Sequence, residues 1–277
     1  MTLNTNRLSF TIPGTEQWRM TSTYDKEKEK EYRIFVYQPK GTPPVDGYPI
    51  LYLLDANALF GSMVEAVRLQ TRKPHGYDPI IVVGIGYETD EPFDLEGRFF
   101  DYTIPASGEE LPLRKNGMEW PKVGGADLFI HFIENELKPK IEARYPINKR
   151  KQALFGHSLG GFFTLYTLFN KTDAFQTYIA GSPSIWWKNQ YLTSLENTFC
   201  QTFKENKYQE EKSLFIGVGG KEKKSMIEDA RDMYDRLLAQ NMNPFRLDFR
   251  KFDEEGHVTV LHPLISRALE FFLGKKD

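Results

Sequence analysis

The five residues Gly156-His157-Ser158-Leu159-Gly160 constrain the fold more than any other part of the chain. Residues 152–155 before them have the composition of a short buried strand, and residues 161–169 after them indicate a helix that is buried on most sides. A G-x-S-x-G sequence between a strand and a helix is typical of a sharp turn that holds a serine hydroxyl clear of a sheet. Ser158 is therefore the candidate nucleophile. The structural alternative is a glycine-rich turn that only packs the helix on the sheet.

Apolar, β-branched segments alternate with helical patterns along the rest of the chain. Strands are predicted at 32–37 (antiparallel), 50–54, 80–85, 152–155, 177–180, 213–218 and 245–249, and further helices at 126–145, 226–238 and 258–273. Together with the serine turn, this order predicts an α/β-hydrolase fold, in which a central, mostly parallel, twisted sheet is flanked by helices on both faces. The length of 277 residues is compatible with a single domain over residues 1–277.

Two stretches, 88–125 and 182–212, fit neither the strand period nor the helix period well. Each follows a predicted strand. Because ligands bind beyond the carboxyl ends of the strands in open α/β sheets, both stretches are predicted to cover the active site.

Composition excludes several classes of function. A net charge of −2 and a pI near 6.3 argue against a nucleic-acid partner. The lone Cys200 excludes an internal disulfide and a cysteine-rich metal site, and the histidine spacing matches no zinc motif. Residues 1–7 lack the pattern of a signal peptide, and the uncharged stretch 152–170 is interrupted by the serine turn, so we expect no membrane association and a cytoplasmic location.

A serine hydroxyl needs a base that accepts its proton. Of the five histidines, His75 and His131 are expected to be structural or solvated. His157 is adjacent to Ser158 on the same turn and is expected to point elsewhere. His257 follows the last predicted strand and precedes the terminal helix, which is where α/β-hydrolases place the base. His262, one turn further along that helix, is the alternative.

The acid that orients this imidazole is expected on the loop after strand 213–218. Glu222 is the first carboxylate there and is the candidate. Asp229 in the following helix, Asp253 before the histidine, and a Ser–His dyad without an acid remain open alternatives.

The oxyanion hole requires two backbone donors. The amide of Leu159, directly after the nucleophile, is the expected first donor. The second is expected on the loop after strand 50–54, at Asn57. Asp55 and Asn57 could equally be a helix cap.

Several segments together carry a resemblance to a known family. They are Leu53-Leu54-Asp55-Ala56-Asn57, Arg98-Phe99-Phe100-Asp101-Tyr102-Thr103, Gly124-Gly125-Ala126, Phe155-Gly156-His157-Ser158-Leu159-Gly160-Gly161 and Ser182-Pro183-Ser184-Ile185-Trp186-Trp187. On these segments the chain, from about residue 30 to 272, resembles the esterase D-like branch of α/β-hydrolases. Within that branch it is most similar to the trilactone esterases that open siderophores of the enterobactin and bacillibactin type.

The resemblance implies serine hydrolysis without a metal or other cofactor, acting on a small-molecule substrate: a catecholate siderophore or its ferric complex, for iron release inside the cell. It also implies that the regions of Arg98 and Trp187 face the substrate. The structural alternatives are an internal ion pair of Arg98 with Asp94 or Asp101 and core packing of Trp187. The functional alternatives are a general carboxylesterase or thioester hydrolase, and a non-catalytic binding protein on a hydrolase scaffold.

Overall fold

A computed structural model of the protein describes residues 11–23, 29–74, 76–114, 118–206 and 210–274. The described strands are β1 (Thr15–Ser22), β2 (Lys30–Tyr37), β3 (Tyr48–Leu53), β4 (Ile81–Gly86), β5 (Ile147–His157), β6 (Thr177–Gly181), β7 (Lys212–Gly219) and β8 (Phe245–Phe252). All of them join one sheet in the order β1-β2-β4-β3-β5-β6-β7-β8. The single domain over residues 1–277 stays a prediction, since residues 1–10 and 275–277, like His75, lie outside the described residues.

The sheet is mostly parallel. β2 pairs antiparallel with both β1 and β4, and every other neighbouring pair is parallel. All residues of β3, β4, β6 and β7 are buried, which explains why these strands are almost continuously apolar in sequence. The parallel arrangement brings the carboxyl ends of β3 to β8 to one edge of the sheet.

Helices cover both faces. They are α1 (Ala56–Gln70), α2 (Leu95–Asp101), α3 (Ala126–Phe132), α4 (Lys138–Arg144), α5 (Leu159–Asn170), α6 (Trp187–Asn206), α7 (Lys224–Ala239) and α8 (Leu261–Leu273), with a π-helical turn (Ile133–Leu137) between α3 and α4 and a 3₁₀ turn at Gly108–Glu110. Successive side chains of β3 belong alternately to two hydrophobic clusters, one on each face of the sheet. Leu51 and Leu53 pack with α1 and α8, whereas Ile50 and Tyr52 pack with the helices of the opposite face. The predicted α/β fold is confirmed.

Several elements differ from the sequence-based expectation. The helices α1 and α2 were not predicted. β1 was not predicted, because it is an edge strand whose side chains are mostly exposed and polar. The stretch 182–212 was expected to be irregular, but α6 occupies most of it. Its buried stripe consists of Leu192, Glu196, Phe199, Cys200 and Phe203. The buried carboxylate of Glu196 interrupts the apolar period and obscured the pattern. Residues 188–190, near the start of α6, have left-handed backbone angles.

The crossing of β5 and α5 positions the serine turn and leaves no space for a side chain at position 156. A Cβ atom at Gly156 would lie 2.1 Å from the carbonyl oxygen of Gly160 and 2.7 Å from Oγ1 of Thr164. The first contact is with helix backbone, which cannot move without displacing α5. Only glycine therefore allows the helix to begin this close to the strand.

We expect Gly156→Ala to destabilise the protein by about 1–3 kcal/mol or more, because the added methyl group overpacks the β5–α5 crossing. Gly61→Ala in α1 is the matched control, since its Cβ would meet only Cδ1 of Ile12, at 3.9 Å. The control should be neutral or more stable by about 0.5–1 kcal/mol. Denaturant unfolding measures both. Similar effects of the two substitutions would contradict the proposed close crossing.

Candidate active site

Ser158 lies in the turn between β5 and α5 with φ of 59° and ψ of −115°. This backbone conformation is strained for a residue with a side chain. Three hydrogen bonds hold it: the Ser158 amide donates to the carbonyl of Gly181 at 2.8 Å, and its own carbonyl accepts from the amides of Phe162 at 2.9 Å and Ser184 at 3.1 Å. The turn is thus fixed to the end of the adjacent strand β6.

Three of the predicted residues, which lie far apart in the sequence, meet at the carboxyl edge of the sheet. Nε2 of His257 lies 3.0 Å from Oγ of Ser158, and its Nδ1 lies 2.8 Å from Oε2 of Glu222. The Glu222 side chain is fully buried, and that of His257 is about one-third exposed. The hydroxyl, the imidazole and the carboxylate therefore form one continuous hydrogen-bonded chain.

Glu222 is held as an anion by its hydrogen bonds. Its Oε1 accepts from the amide of Gly219 at 2.6 Å and from the hydroxyl of Ser182 at 2.5 Å, while Oε2 faces His257. Burial acts to raise the pKa of Glu222, but the hydrogen bonds from His257, Ser182 and Gly219 outweigh it, so the pKa is lowered overall. An ionised carboxylate beside Nδ1 favours a proton on that nitrogen. Nε2 is then free to accept the proton of Ser158.

The alternatives for the acid and the base lie elsewhere. Asp229 accepts a hydrogen bond from Gln190, and Asp253 is an exposed partner of Lys251. His262 is exposed on α8. Ser182, which supports the carboxylate, was missed by the sequence reasoning, although its place directly after β6 could have indicated it.

His157 is not a second base. Its ring is buried beside that of His257, with the ring centroids 4.7 Å apart. Burial, followed by the positive charges of His257 and Arg98, lowers the pKa of His157 to about 3. This imidazole is therefore neutral at neutral pH, and it lies against one side of the His257 ring.

The predicted oxyanion donors lie at the starts of two helices. Leu159 is the first residue of α5, so its amide has no carbonyl acceptor in a preceding helical turn. Asn57 is the second residue of α1, and its side chain binds the backbone after β4: Oδ1 accepts from the amide of Tyr87 at 2.8 Å, and Nδ2 donates to the carbonyls of Tyr87 at 3.0 Å and Thr89 at 2.8 Å. Asp55 is at the N-cap position, but its side chain caps no amide. Asp55 therefore occupies the position of a helix cap but does not form the hydrogen bond of one.

The expectation that Arg98 binds substrate needs correction. The residue is only 8% exposed, and its guanidinium forms a two-point ion pair with Asp55, with distances of 3.1 Å from Nε and 3.0 Å from Nη2. Nη2 also lies 3.5 Å from the carbonyl oxygen of His157. An internal pair was the alternative, but its partner is neither Asp94 nor Asp101. The guanidinium joins the loop after β3 to the serine turn.

Trp187 also differs from the expectation, because its side chain is fully buried and packs among other aromatic rings. The neighbouring Trp186 is half-buried. The buried position of Trp187 matches the core-packing alternative for this residue. Within the described ranges, no cluster of three or more potential metal ligands is found.

Comparison with known proteins identifies the family. Residues 26–260 match the sequence model of the Esterase family, described as "Putative esterase". The chain belongs to this esterase family. The esterase is 47% identical over 270 residues to ferri-bacillibactin esterase BesA of Bacillus subtilis (strain 168), covering 96% of this chain and 91% of the relative. It is 32% identical to the siderophore triacetylfusarinine C esterase of Aspergillus fumigatus (strain ATCC MYA-4609), covering 94% of both chains.

Solved structures agree with this assignment. The crystal structure of BES protein from Bacillus cereus superposes on the esterase with a TM-score of 0.91 and 38% identity, covering 98% of this chain and all of the other. Within the described ranges, no helix of the esterase is both long enough and apolar enough to cross a membrane.

We expect Arg98→Ala to lower the free energy of unfolding by about 3–5 kcal/mol, because it leaves the buried carboxylate of Asp55 without a partner. Hydrolysis of large anionic and small neutral esters should fall by the same factor, since the guanidinium supports the site from behind. Arg267→Ala, which breaks an exposed pair with Glu270, is the control and should change stability by no more than about 0.5 kcal/mol.

The double variant Asp55→Asn with Arg98→Gln removes both charges and should be more stable than Arg98→Ala. Asparagine tolerates the left-handed backbone angles at position 55. A stable Arg98→Ala variant that lost activity on anionic esters alone would instead place the guanidinium in contact with substrate.

Proposed function

We propose that the esterase hydrolyses the ester bonds of a catecholate siderophore trilactone of the bacillibactin or enterobactin type, in its ferric form, and so releases iron. The observation that carries the catalytic part is the chain of contacts from Ser158 through His257 to Glu222. The names of the relatives support the substrate class, since BesA is a ferri-bacillibactin esterase and the relative from Aspergillus fumigatus acts on another siderophore.

In the proposed reaction, Oγ of Ser158 attacks an ester carbonyl carbon while Nε2 of His257 takes the hydroxyl proton. Glu222 stabilises the imidazolium that forms. The amides of Leu159 and Asn57 are proposed to bind the oxygen that becomes negatively charged. When the intermediate collapses, the ester C–O bond breaks and the leaving alkoxide takes the proton from Nε2. The acyl group then remains on Ser158.

Water completes the cycle. His257 removes a proton from a water molecule, the resulting hydroxide attacks the acyl carbon, and Ser158 is released with its proton restored. In a cyclic trilactone the first cut opens the ring without releasing a fragment, because the alcohol and the acid belong to the same molecule. Repeated cuts at the remaining esters would separate the three arms.

Single-residue variants test the proposed roles. Ser158→Ala and His257→Ala should each lower turnover by several powers of ten, since the members of a triad act as a unit. His262→Ala is the matched control and should stay close to wild type, because that side chain is exposed on α8. The turnover of each variant is measured as ester hydrolysis, and the reactivity of the nucleophile as labelling by a fluorophosphonate. An active His257→Ala with an inactive His262→Ala would reverse the assignment of the base.

Glu222→Gln separates a triad from a dyad. It replaces the anion that faces Nδ1 with a neutral amide, so we expect a large loss of turnover with little change in KM. Near-wild-type turnover would mean that the two-residue alternative applies.

Comparison of two substrates tests the proposed function itself. We expect the specificity constant for ferric enterobactin to exceed that for p-nitrophenyl acetate by at least about tenfold, with Ser158→Ala as the blank. A difference of that size corresponds to about 1.4 kcal/mol of preferential transition-state binding. A preference for the acetate would support a general carboxylesterase, and no labelling of Ser158 would support a binding protein.

The cytoplasmic location and the absence of nucleic-acid and membrane partners stay predictions. Cell fractionation of the natural host would test the location.

A further inference from the structure

A cavity of about 460 Å³ lies in the covering segment 88–125 and belongs neither to the triad nor to the core. Its lining includes Leu111, Arg114, Met118, Trp120, Lys122 and Val123. We call it the Trp120 cavity. Large apolar side chains are exposed at this place: Leu113 is 99% and Met118 is 56% exposed. A volume of this size is in the range of small-molecule sites, and the exposed apolar groups beside it offer additional contact surface to a ligand.

Trp120, which lines the cavity, is linked to the serine turn by contacts of the second covering segment. The amide of Ser184 donates to the carbonyl of Ser158 at 3.1 Å. Two residues further on, the half-buried ring of Trp186 lies 6.2 Å from that of Trp120. Lys188 joins the same two segments, because its Nζ donates to the carbonyl of Pro105 at 2.8 Å. A ligand in the Trp120 cavity therefore lies beside the segment that contacts the serine turn.

Two cations lie over aromatic rings in this region. The guanidinium carbon of Arg114 is 5.4 Å from the centroid of Trp120, and Nζ of Lys122 is 4.7 Å from that of Phe100. Arg114 also donates to the backbone carbonyl of Glu119 at 2.6 Å, which fixes the guanidinium beside the indole. Among the side chains that line the cavity, these two positive charges stand against the one carboxylate of Glu119, so the cavity is net positive.

The indole of Trp120 is itself held in place. Its Nε1 donates to the carbonyl of Pro112 at 3.0 Å, and its ring packs against Phe99 at 5.6 Å and edge-on against Trp187 at 5.6 Å. A fixed aromatic wall with cations at its side is suited to a flat ring that carries negative charge. An aliphatic acyl chain would use the wall but not the cations. A small inorganic anion would use the cations but not the wall.

We propose that Trp120, Arg114 and Lys122 form a subsite that binds one catecholate arm of the substrate while an ester of the same molecule lies at Ser158. This proposal rests on the proposed function. It assigns substrate recognition to these residues in place of Arg98 and Trp187, which are buried. Substitutions in this subsite are expected to weaken substrate binding more than they slow the reaction, because the subsite contacts a part of the substrate that does not react.

The first test uses turnover. Trp120→Leu, and separately the double variant Arg114→Gln with Lys122→Gln, should lower kcat/KM for ferric enterobactin by tenfold or more, mainly through KM. Hydrolysis of p-nitrophenyl acetate should change less than twofold. The double variant alters one exposed and one half-buried side chain and removes no aromatic ring, so it remains informative if Trp120→Leu folds poorly. Equal losses on both substrates in the double variant would overturn the subsite.

Trp18→Leu is the matched control. Trp18 lies on the edge strand β1, and Arg144 lies over its ring at 4.6 Å, so the control removes the same kind of cation–aromatic pair at a different place. It should leave kcat/KM for both substrates unchanged. A loss on ferric enterobactin equal to that of Trp120→Leu would mean that the effect is not specific to the cavity.

The second test measures binding without turnover. Calorimetric titration of the Ser158→Ala protein with ferric enterobactin should give a Kd that rises at least tenfold when Trp120→Leu or the double variant is added, and not when Trp18→Leu is added. If the wild type fails to hydrolyse the trilactone but this shift is observed, the proposed function is wrong and the subsite stands. An unchanged Kd, or no binding by Ser158→Ala, would overturn the subsite.

Discussion

The rest of the site depends on the hydrogen bonds that the buried carboxylate of Glu222 accepts. It accepts from the amide of Gly219 at the end of β7, from the hydroxyl of Ser182 at the end of β6, and from His257 after β8. Through the imidazole it also reaches Ser158 at the end of β5. Four neighbouring strand ends are therefore joined by one anion. A parallel sheet makes this possible because it presents these ends at one edge, in the order in which the chain forms them.

A second buried charge organises the opposite side of the nucleophile. Asp55 after β3 binds Arg98 on α2, and the guanidinium approaches the carbonyl of His157. The amide of Asp55 donates to the hydroxyl of Tyr102 at 3.1 Å. Breaking such a pair leaves an uncompensated charge in a low-dielectric environment, which is strongly unfavourable. The position of the first covering segment is thus coupled to the shape of the loop that carries the proposed oxyanion donor.

The segments 88–125 and 182–212, which are predicted to cover the active site, are attached to the rest of the molecule in different ways. The second is attached directly to the nucleophile by the Ser184 amide and continues into α6, whose buried Glu196 forms a two-point pair with Arg236 of α7. The first returns to the sheet at α3, where the amide of Ala126 donates to the carbonyl of Thr103. Packing of Trp120 against Trp186 and Trp187 joins them. The two segments are therefore held to each other by aromatic packing and to the rest of the molecule by hydrogen bonds.

The sequence by itself determined the fold class, most of the strands, and the placement of Ser158 and His257, because apolar periodicity and glycine spacing report local burial and local turns. It favoured Glu222 as the acid but left Asp229, Asp253 and a dyad open, since which carboxylate reaches an imidazole depends on the course of two loops that are distant along the chain. The tertiary structure also decided that Arg98 and Trp187 are internal, because a motif marks a segment but not the direction of each side chain. Burial of Glu196 and the half-buried position of Trp120 are likewise products of packing between elements, and no local pattern encodes them.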